Sequence, residues 1–403
     1  MPLLSLLHIA KSPPKVVNPI YNTDCTNSAL ACVDVRKMWI RLRRIIALAE
    51  LIGLPRASKT LSAEATPDHK SAAAIWESIC VVDRLSGMMF NLPSATKSFP
   101  PLHASVMLDN GSVNVQAYIS RLTEIALNVQ DLDNTPSSEK PGVDQLAKVF
   151  AVDERLRSLA ESTPVAWWTS SATYMTAERL MQYWHHYFTV RTHLRLALAD
   201  DESGRFRLHY NTCLVASQTM ARRYIDLRPL LPAGFFACKT TDLQILTAAI
   251  FLTFDYSKVD AAAAQTHPQL NLSGILVEQL AEAMAMASQR AGGEVAGKAV
   301  VAIRSLQLLI NGPPSEKEMT LNLPMLGKIS VTRRAKQAQP EQSYAAQPVA
   351  GWQRYPVPAD EIQLQDNGMI PFWSMDVMDE DFAFVPDAMS GNNFGLPDFA
   401  FTI

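Results

Sequence analysis

The chain has 403 residues, of which 48% are hydrophobic and 19% charged, enough for one large or two ordinary domains. The formal net charge of −3 hides an uneven spread, because residues 359–403 hold nine acidic residues and no Lys or Arg. Five scattered cysteines without a CxxC pair argue against a disulfide framework, and no uncharged apolar run reaches the roughly 18 residues of a membrane span. We therefore predict an intracellular chain with no membrane partner and with an acidic tail on a globular body.

Apolar periodicity predicts helices along the first part of the chain. Residues 2–10 form a short apolar stretch that we expect to pack within a helical layer. The first long helix is predicted over 30–54 and ends at Gly53 and Pro55. Residues 56–70 are predicted to form a polar loop.

The later predicted helices recur through the rest of the body and span 71–92, 113–132, 143–159, 175–199, 206–224, 242–254, 275–290 and 295–310. Few segments alternate strictly between apolar and polar residues, as a half-buried strand would. We therefore predict an all-α body over residues 1–312, with its helices packed around one apolar core.

Residues 313–350 are predicted to be a linker, basic at first and then rich in Gln, Ala and Pro. Its basic part is either a solvated patch or a candidate nuclear import signal, formed by Lys328, Arg333, Arg334 and Lys336.

Residues 351–403 mix acidic and aromatic side chains without a helical period, which predicts a disordered acidic tail of the activation type. Negative charge keeps aromatic side chains solvated and available to a partner with an apolar groove and a basic rim. The aromatic residues that we expect to act in this way include Phe372, Trp373, Phe382 and Phe384.

Residues 292–299, GGEVAGKA, come close to a phosphate-binding loop. Ala299 stands where a Ser or Thr hydroxyl should hold Mg²⁺, and the preceding segment is predicted to be a helix rather than a strand. We interpret this segment as a glycine break between two helices.

Two other clusters raise the question of a metal site. His185, His186 and His193 share one helix, but the spacing does not pair two of them one turn apart with a carboxylate. The acidic cluster at 200–202 has no second acidic motif, so a solvated turn is favoured over a terpene-cyclase-like site. The sequence therefore nominates no catalytic residue, metal ligand, DNA-contacting residue or resident cofactor.

Two motifs resemble the fungal-specific transcription factor domain, or middle homology region, of zinc-cluster transcription factors. The first is WIRLRRIIALAELIGLPR over 39–56, where the residues that match are Trp39, Arg44, Ala47, Ala49, Leu51, Gly53, Leu54 and Arg56. Pro55 replaces the usual His. The second motif departs from the family at Met89–Asn91, and the residues that match are Trp76, Asp83, Arg84, Leu85, Leu92 and Pro93.

The resemblance implies a nuclear transcription regulator rather than an enzyme, with a helical regulatory domain and a tail that recruits the transcription machinery or a co-activator. It also implies that Trp39 and Trp76 anchor the core. Asp83 and Arg84 are interpreted as a structural charge pair. Homodimers, or heterodimers with zinc-cluster factors, are the expected assemblies.

The zinc cluster of that family is not found in this sequence. The family's six-cysteine cluster holds two zinc ions, whereas Cys25 and Cys32 supply only one matching gap and Asn22 stands in place of a further cysteine. We expect the cluster to have been lost or to be missing from the gene model. Zinc would then enter only with such a segment, and this chain would reach DNA indirectly.

Two other functions stay open at this point. One is an all-α enzyme or ligand-binding protein of secondary metabolism, which would need a polar or acidic cavity. The other is a scaffolding partner that pairs with full-length relatives and titrates them.

Overall fold

The computed structural model describes eleven segments of the chain, which are 35–61, 64–100, 105–134, 142–169, 176–199, 204–231, 236–258, 271–311, 318–323, 327–332 and 399–402. Within these segments the body is helical, which confirms the all-α prediction. None of the described helices combines the length and the apolar character that crossing a membrane requires. Residues 2–10, Cys25 and Cys32 lie outside the described segments.

The first predicted helix ends just before Gly53, close to the predicted stop, and a second short helix follows it. Helix α1 spans Val35–Leu51 and helix α2 spans Leu54–Lys59, so part of the predicted loop at 56–70 is helical. Gly53 separates them with a φ of 83°, a left-handed conformation that a residue with a Cβ rarely adopts. Pro55 then lies in the first turn of α2, where its missing N–H costs nothing.

Helix α3 spans Pro67–Phe90 and carries the second motif. It begins at Thr66, whose side chain accepts a hydrogen bond from the backbone N–H of His69. It ends at Asn91, which adopts a left-handed φ of 50°.

The remaining helices are α4 Val115–Asp133, α5 Val143–Glu161, α6 Val165–Thr169, α7 Ala177–Ala197, α8 Arg207–Leu227, α9 Phe236–Ser257, α10 Leu272–Ser288 and α11 Glu294–Asn311. They follow the predicted order, except that the short helix α6 was not predicted. A 3-10 turn, Arg228–Leu230, extends α8. Asn114 and Thr176 cap α4 and α7 with their side-chain oxygens.

The main apolar core runs from α3 to α11. Helix α7 packs against α4, α5, α8 and α9, so its side chains are buried around most of its circumference. Tyr183, Phe188 and Val190 are fully buried there. A smaller apolar cluster joins α1 to α3 and contains Leu42, Ile46, Ala49, Trp76 and Cys80.

A three-stranded sheet follows the helical body. Strands β1 (Glu318–Leu323) and β2 (Gly327–Thr332) pair antiparallel, and β3 (Phe399–Thr402) runs parallel to β2. The predicted linker therefore contains a hairpin, and the last residues of the predicted disordered tail form a strand. The tail aromatics named in the sequence analysis, Phe372, Trp373, Phe382 and Phe384, lie outside the described residues, as do Arg333, Arg334 and Lys336.

Candidate functional site

The residues of the two motifs meet where α1 crosses α3. Trp76 is 1% exposed and its ring meets Phe99 edge-on, with ring centroids 4.9 Å apart. Leu54 of α2 packs against the same apolar cluster. The two motifs therefore share one small core.

Asp83 is the polar centre of this junction. Its Oδ2 accepts hydrogen bonds from the Ser94 hydroxyl at 2.6 Å and from the Thr96 backbone N–H and hydroxyl, each at 2.9 Å. Its Oδ1 lies 3.6 Å from Nη1 of Arg43 on α1. The buried carboxylate of Asp83 therefore has three hydrogen-bond donors and a neighbouring cation, so its hydrogen-bonding capacity is well satisfied.

Arg84 acts on the same loop from the other side. Its Nη2 donates to the carbonyl of Thr96 at 3.1 Å and also to the carbonyl of Phe99. The ion pair of Asp83 is with Arg43, so the interpretation of Asp83 and Arg84 as a mutual charge pair is corrected. Neighbouring residues on one helix point in directions about 100° apart, which leads these two side chains to different partners.

Three other motif residues, Trp39, Arg44 and Pro93, lie at the surface of the junction. Trp39 is partly exposed and lies 4.8 Å below the Arg43 guanidinium, which is a cation–π contact rather than a core anchor. Arg44 and Pro93 are exposed, and the Pro93 carbonyl accepts a hydrogen bond from Arg43. The junction thus fixes the loop at 91–100 and holds α1 on the body.

A second buried ion pair joins the end of α8 to α9. Arg228 Nε lies 2.6 Å from Asp242 Oδ1 and its Nη2 lies 3.1 Å from Oδ2, while Tyr224 donates to Oδ1 at 2.7 Å. Burial opposes the charge on Arg228, but hydrogen bonding to Asp242 raises its pKa overall. Thr241 lies inside α9 and donates to the Cys238 carbonyl at 3.0 Å.

The histidines of α7 form two separate contacts. His193 Nδ1 lies 2.9 Å from Nδ1 of His209 and its Nε2 lies 3.1 Å from Asp153 Oδ1, so the three groups lie in line. His185 Nδ1 instead lies 2.8 Å from the Tyr118 hydroxyl. Throughout the described segments, no three His, Cys, Asp or Glu side chains are placed to hold a metal ion.

Burial sets the charge state of two of these histidines. Burial, followed by the nearby Arg223 cation, lowers the pKa of His185 to about 4. Burial, followed by the neighbouring His193, lowers the pKa of His209 to about 4. Both rings are neutral at pH 7 and act as hydrogen-bonding core residues.

The segment at 292–299 comprises Gly292 and Gly293 of the turn between α10 and α11 and the first residues of α11, which begins at Glu294. Gly292 has a φ of 82°, and a Cβ on Gly293 would lie 2.1 Å from the Ala287 carbonyl oxygen. The preceding element is helix α10, whereas a phosphate-binding loop follows a strand. This geometry fits the glycine break. The acidic cluster at 200–202 lies outside the described residues.

Comparison with known proteins finds two named regulators. Transcription factor sdnS from Sordaria araneosa is 24% identical over 274 residues, covering 62% of this chain and 34% of that protein. The dehydrocurvularin biosynthesis regulator from Alternaria cinerariae is 25% identical over 270 residues, again covering 62% of this chain and 34% of that protein. No family model and no solved structure matches. The chain spans about a third of the length of these relatives, which are regulators rather than enzymes.

Proposed function

We propose that this chain is part of a fungal transcription regulator that acts in the nucleus. The observation that carries the proposal is the similarity to two named regulators over 62% of the chain. The all-helical body is compatible with it, and so is the resemblance of the α1 and α3 motifs to the fungal-specific transcription factor domain.

In this proposal the helical body is a regulatory platform rather than a catalyst. The polar groups of Asp83 and Arg84, two residues of the second motif, form hydrogen bonds to the loop that follows α3. Their contacts are therefore structural. Such a platform suits assembly into homodimers or into heterodimers with zinc-cluster factors. DNA is then reached through a zinc-cluster segment, whether on the partner or elsewhere in the same polypeptide, and zinc belongs to that segment.

The acidic aromatic tail is proposed to recruit the transcription machinery or a co-activator. Its nine acidic residues over 359–403 keep the aromatic side chains available to a basic-rimmed groove. Arg333, Arg334 and Lys336, with Lys328 in β2, are proposed as the nuclear import signal.

A reporter assay tests the tail. The full chain is fused to a foreign DNA-binding domain, and we expect activation that the triple change Trp373→Ala, Phe382→Ala and Phe384→Ala abolishes. The matched control changes three polar residues of the same segment, Gln363, Asn367 and Ser374, to Ala and should keep the activity. A silent wild-type fusion, or equal activity in both triple variants, contradicts the assignment.

A fluorescent fusion tests the localisation. We expect nuclear fluorescence, and its loss after Arg333→Ala, Arg334→Ala and Lys336→Ala together. The matched control removes an exposed cation of the helical body by Arg222→Ala. A wild-type fusion that stays in the cytoplasm contradicts a nuclear role.

A further inference from the structure

Helix α1 exposes apolar side chains on the side away from the cluster that it shares with α3. Ile40, Leu48 and Leu51 are 46%, 51% and 82% exposed there. They are eight and three residues apart, which places them along one side of an α-helix, and together they form the α1 stripe. Ile52, which follows the helix, is also exposed. One exposed apolar side chain is common on a protein surface, but several in line indicate a binding surface.

Basic side chains flank the α1 stripe. Arg41 and Arg44 are exposed, and neither forms an ion pair with a carboxylate within the part of the chain that the structure describes. Arg43 differs, because it lies beside Asp83. Glu50 is the one acidic residue among the 17 residues of α1, which include five basic ones. The exposed side of α1 is therefore both apolar and positively charged.

The chain itself contains a segment of complementary character. Residues 371–384, PFWSMDVMDEDFAF, combine four acidic residues with four aromatic ones and contain no Lys or Arg. Opposite charges attract each other across an interface, and aromatic side chains gain much from burial against an apolar surface. The exposed side of α1 offers both kinds of contact to this segment.

We propose that residues 371–384 dock on the exposed side of α1. Their aromatic side chains lie on the α1 stripe, and their carboxylates lie beside Arg41 and Arg44. From Ile40 to Leu51 the stripe rises by about 17 Å along the helix axis. A segment of this length measures about 21 Å as a helix and about 46 Å when extended, so it covers the stripe in either form.

The connection from this segment to strand β3 is long enough for the contact. Residues 385–398 join it to Phe399, where β3 begins. When extended, this connection spans up to about 50 Å. A compact helical body of this size has a radius of gyration of about 20 Å and a diameter of about 50 Å. Residues 333–370 form a still longer connection to β2.

Two other occupants match the α1 stripe less well. A second copy of the chain, docked stripe to stripe, would bring Arg41 and Arg44 of both copies into one interface, where like charges repel. Residues 2–10 are apolar, but they contain no acidic residue and are followed by Lys11. Residues 371–384 match the stripe in both apolar character and charge.

Photo-crosslinking in the full chain tests the contact. The photoreactive amino acid p-benzoylphenylalanine is placed at position Leu48, within the stripe. Trypsin then releases the tail as one peptide, because no Lys or Arg follows Arg354. We expect a crosslink within one chain to residues 371–384, identified by mass spectrometry. The matched control places the same amino acid at Val215 of α8, which is also exposed, and should give no crosslink to the tail.

Charge reversal tests the basic flank of the stripe. Arg41→Glu together with Arg44→Glu should lower the crosslink yield from Leu48 by at least about tenfold, because four carboxylates would then face like charges. The control reversal, Arg207→Glu with Arg222→Glu, changes two exposed cations of α8 and should leave the yield unchanged. All four side chains are exposed, so both variants should melt as the wild type does.

Several results would overturn the proposal. An absent crosslink from Leu48 to the tail, or an equal yield from Val215, removes the docking site. A crosslink to the tryptic peptide of residues 1–11 assigns the stripe to the N-terminal segment, and one between two chains assigns it to a second copy. An unchanged yield after reversal of Arg41 and Arg44 removes the charge complementarity. The crosslink involves neither DNA nor a reporter, so its outcome is independent of the proposed transcriptional role.

Discussion

Thr96 donates hydrogen bonds from its backbone N–H and from its hydroxyl to the same oxygen of Asp83, and each donor–acceptor distance is 2.9 Å. Asp83 lies on α3 and Thr96 lies in the loop that follows, and both are buried. The two bonds turn the loop back onto its own helix, where Arg84 holds the Thr96 carbonyl. Asp83 and Arg84 therefore both hold this loop against α3.

Replacing Asp83 by Ala should lower the free energy of unfolding by about 2–4 kcal/mol, because it leaves the Thr96 N–H buried without an acceptor and Arg43 without its counter-charge. Chemical denaturation measures this loss. Asp109→Ala, at an exposed loop residue, is the control and should change the value by no more than about 0.5 kcal/mol. Equal stability of the two variants would show that the loop is held by its apolar contacts instead.

The helices were largely predictable from the sequence because their signals are local. The spacing of Trp76 and Leu85 and the stops at Gly53 and Pro93 depend only on neighbouring residues. The partners of Asp83 were not predictable in this way. Arg43 reaches it only after α1 has packed on α3, and nothing in the spacing distinguishes Arg43 from Arg44, which is exposed.

The sequence pattern that indicates the β1–β2 hairpin is present but weaker than the neighbouring linker-like composition. Apolar residues alternate at Met319, Leu321 and Leu323 and again at Ile329 and Val331, as in strands. Each run is only six residues long, and the Lys and Arg residues next to the second run favour a charged linker as the interpretation. The pairing of β3 with β2 is not local at all, so its existence could not be read from either segment alone.

The buried pair Arg228–Asp242 gives a prediction about charge removal. Asp242→Asn should cost about 3–5 kcal/mol, because Arg228 keeps its charge inside the core without a counter-charge. The double change Arg228→Met with Asp242→Leu should lower the free energy of unfolding by much less than the summed effects of Arg228→Met and Asp242→Leu made separately. A double-mutant cycle in denaturant measures the difference.

The exposed pair Arg304–Glu278 is the matched control for that cycle, since both side chains are about half exposed. Its single variant Glu278→Gln should cost less than about 1 kcal/mol. Additive losses at Arg228 and Asp242 would contradict a coupled buried pair.

The two neutral core histidines predict loss of stability in acid. The folded-state pKa of His185 and of His209 is about 4, whereas an unfolded histidine titrates near 6.5. The unfolded chain therefore binds more protons in this window. Stability is fully present above pH 6.5 and is lost as the pH falls toward 4, by up to about 1.4 kcal/mol per pH unit for each group.

Denaturation at a series of pH values tests this expectation. His185→Gln can still accept a hydrogen bond from Tyr118, and it should reduce the slope of stability against pH between 6.5 and 4. His69→Gln, in the first turn of α3 and partly exposed, is the control and should leave the slope as it is in the wild type. An unchanged slope in His185→Gln would assign the proton uptake to other groups.

Gly293 of the α10–α11 turn and Gly297 in the first turn of α11 should respond to alanine in opposite directions. A Cβ on Gly293 would lie 2.1 Å from the Ala287 carbonyl oxygen and 2.7 Å from Ser288 Cα. Both are backbone atoms that cannot rotate away, so Gly293→Ala should destabilise the fold by about 1–3 kcal/mol or more. A Cβ on Gly297 would meet only the Ser288 Cβ, at 3.4 Å.

Gly297→Ala should therefore stabilise α11 by up to about 1 kcal/mol, because alanine is the better helix former. Thermal melts of the two variants beside the wild type measure both changes. A helix break explains this opposition, since only Gly293 sits where the chain turns against its own backbone. A phosphate-binding loop requires instead that ATP with Mg²⁺ raise the melting temperature of the wild type and that Gly297→Ala remove the increase. That result would reverse the assignment of this segment.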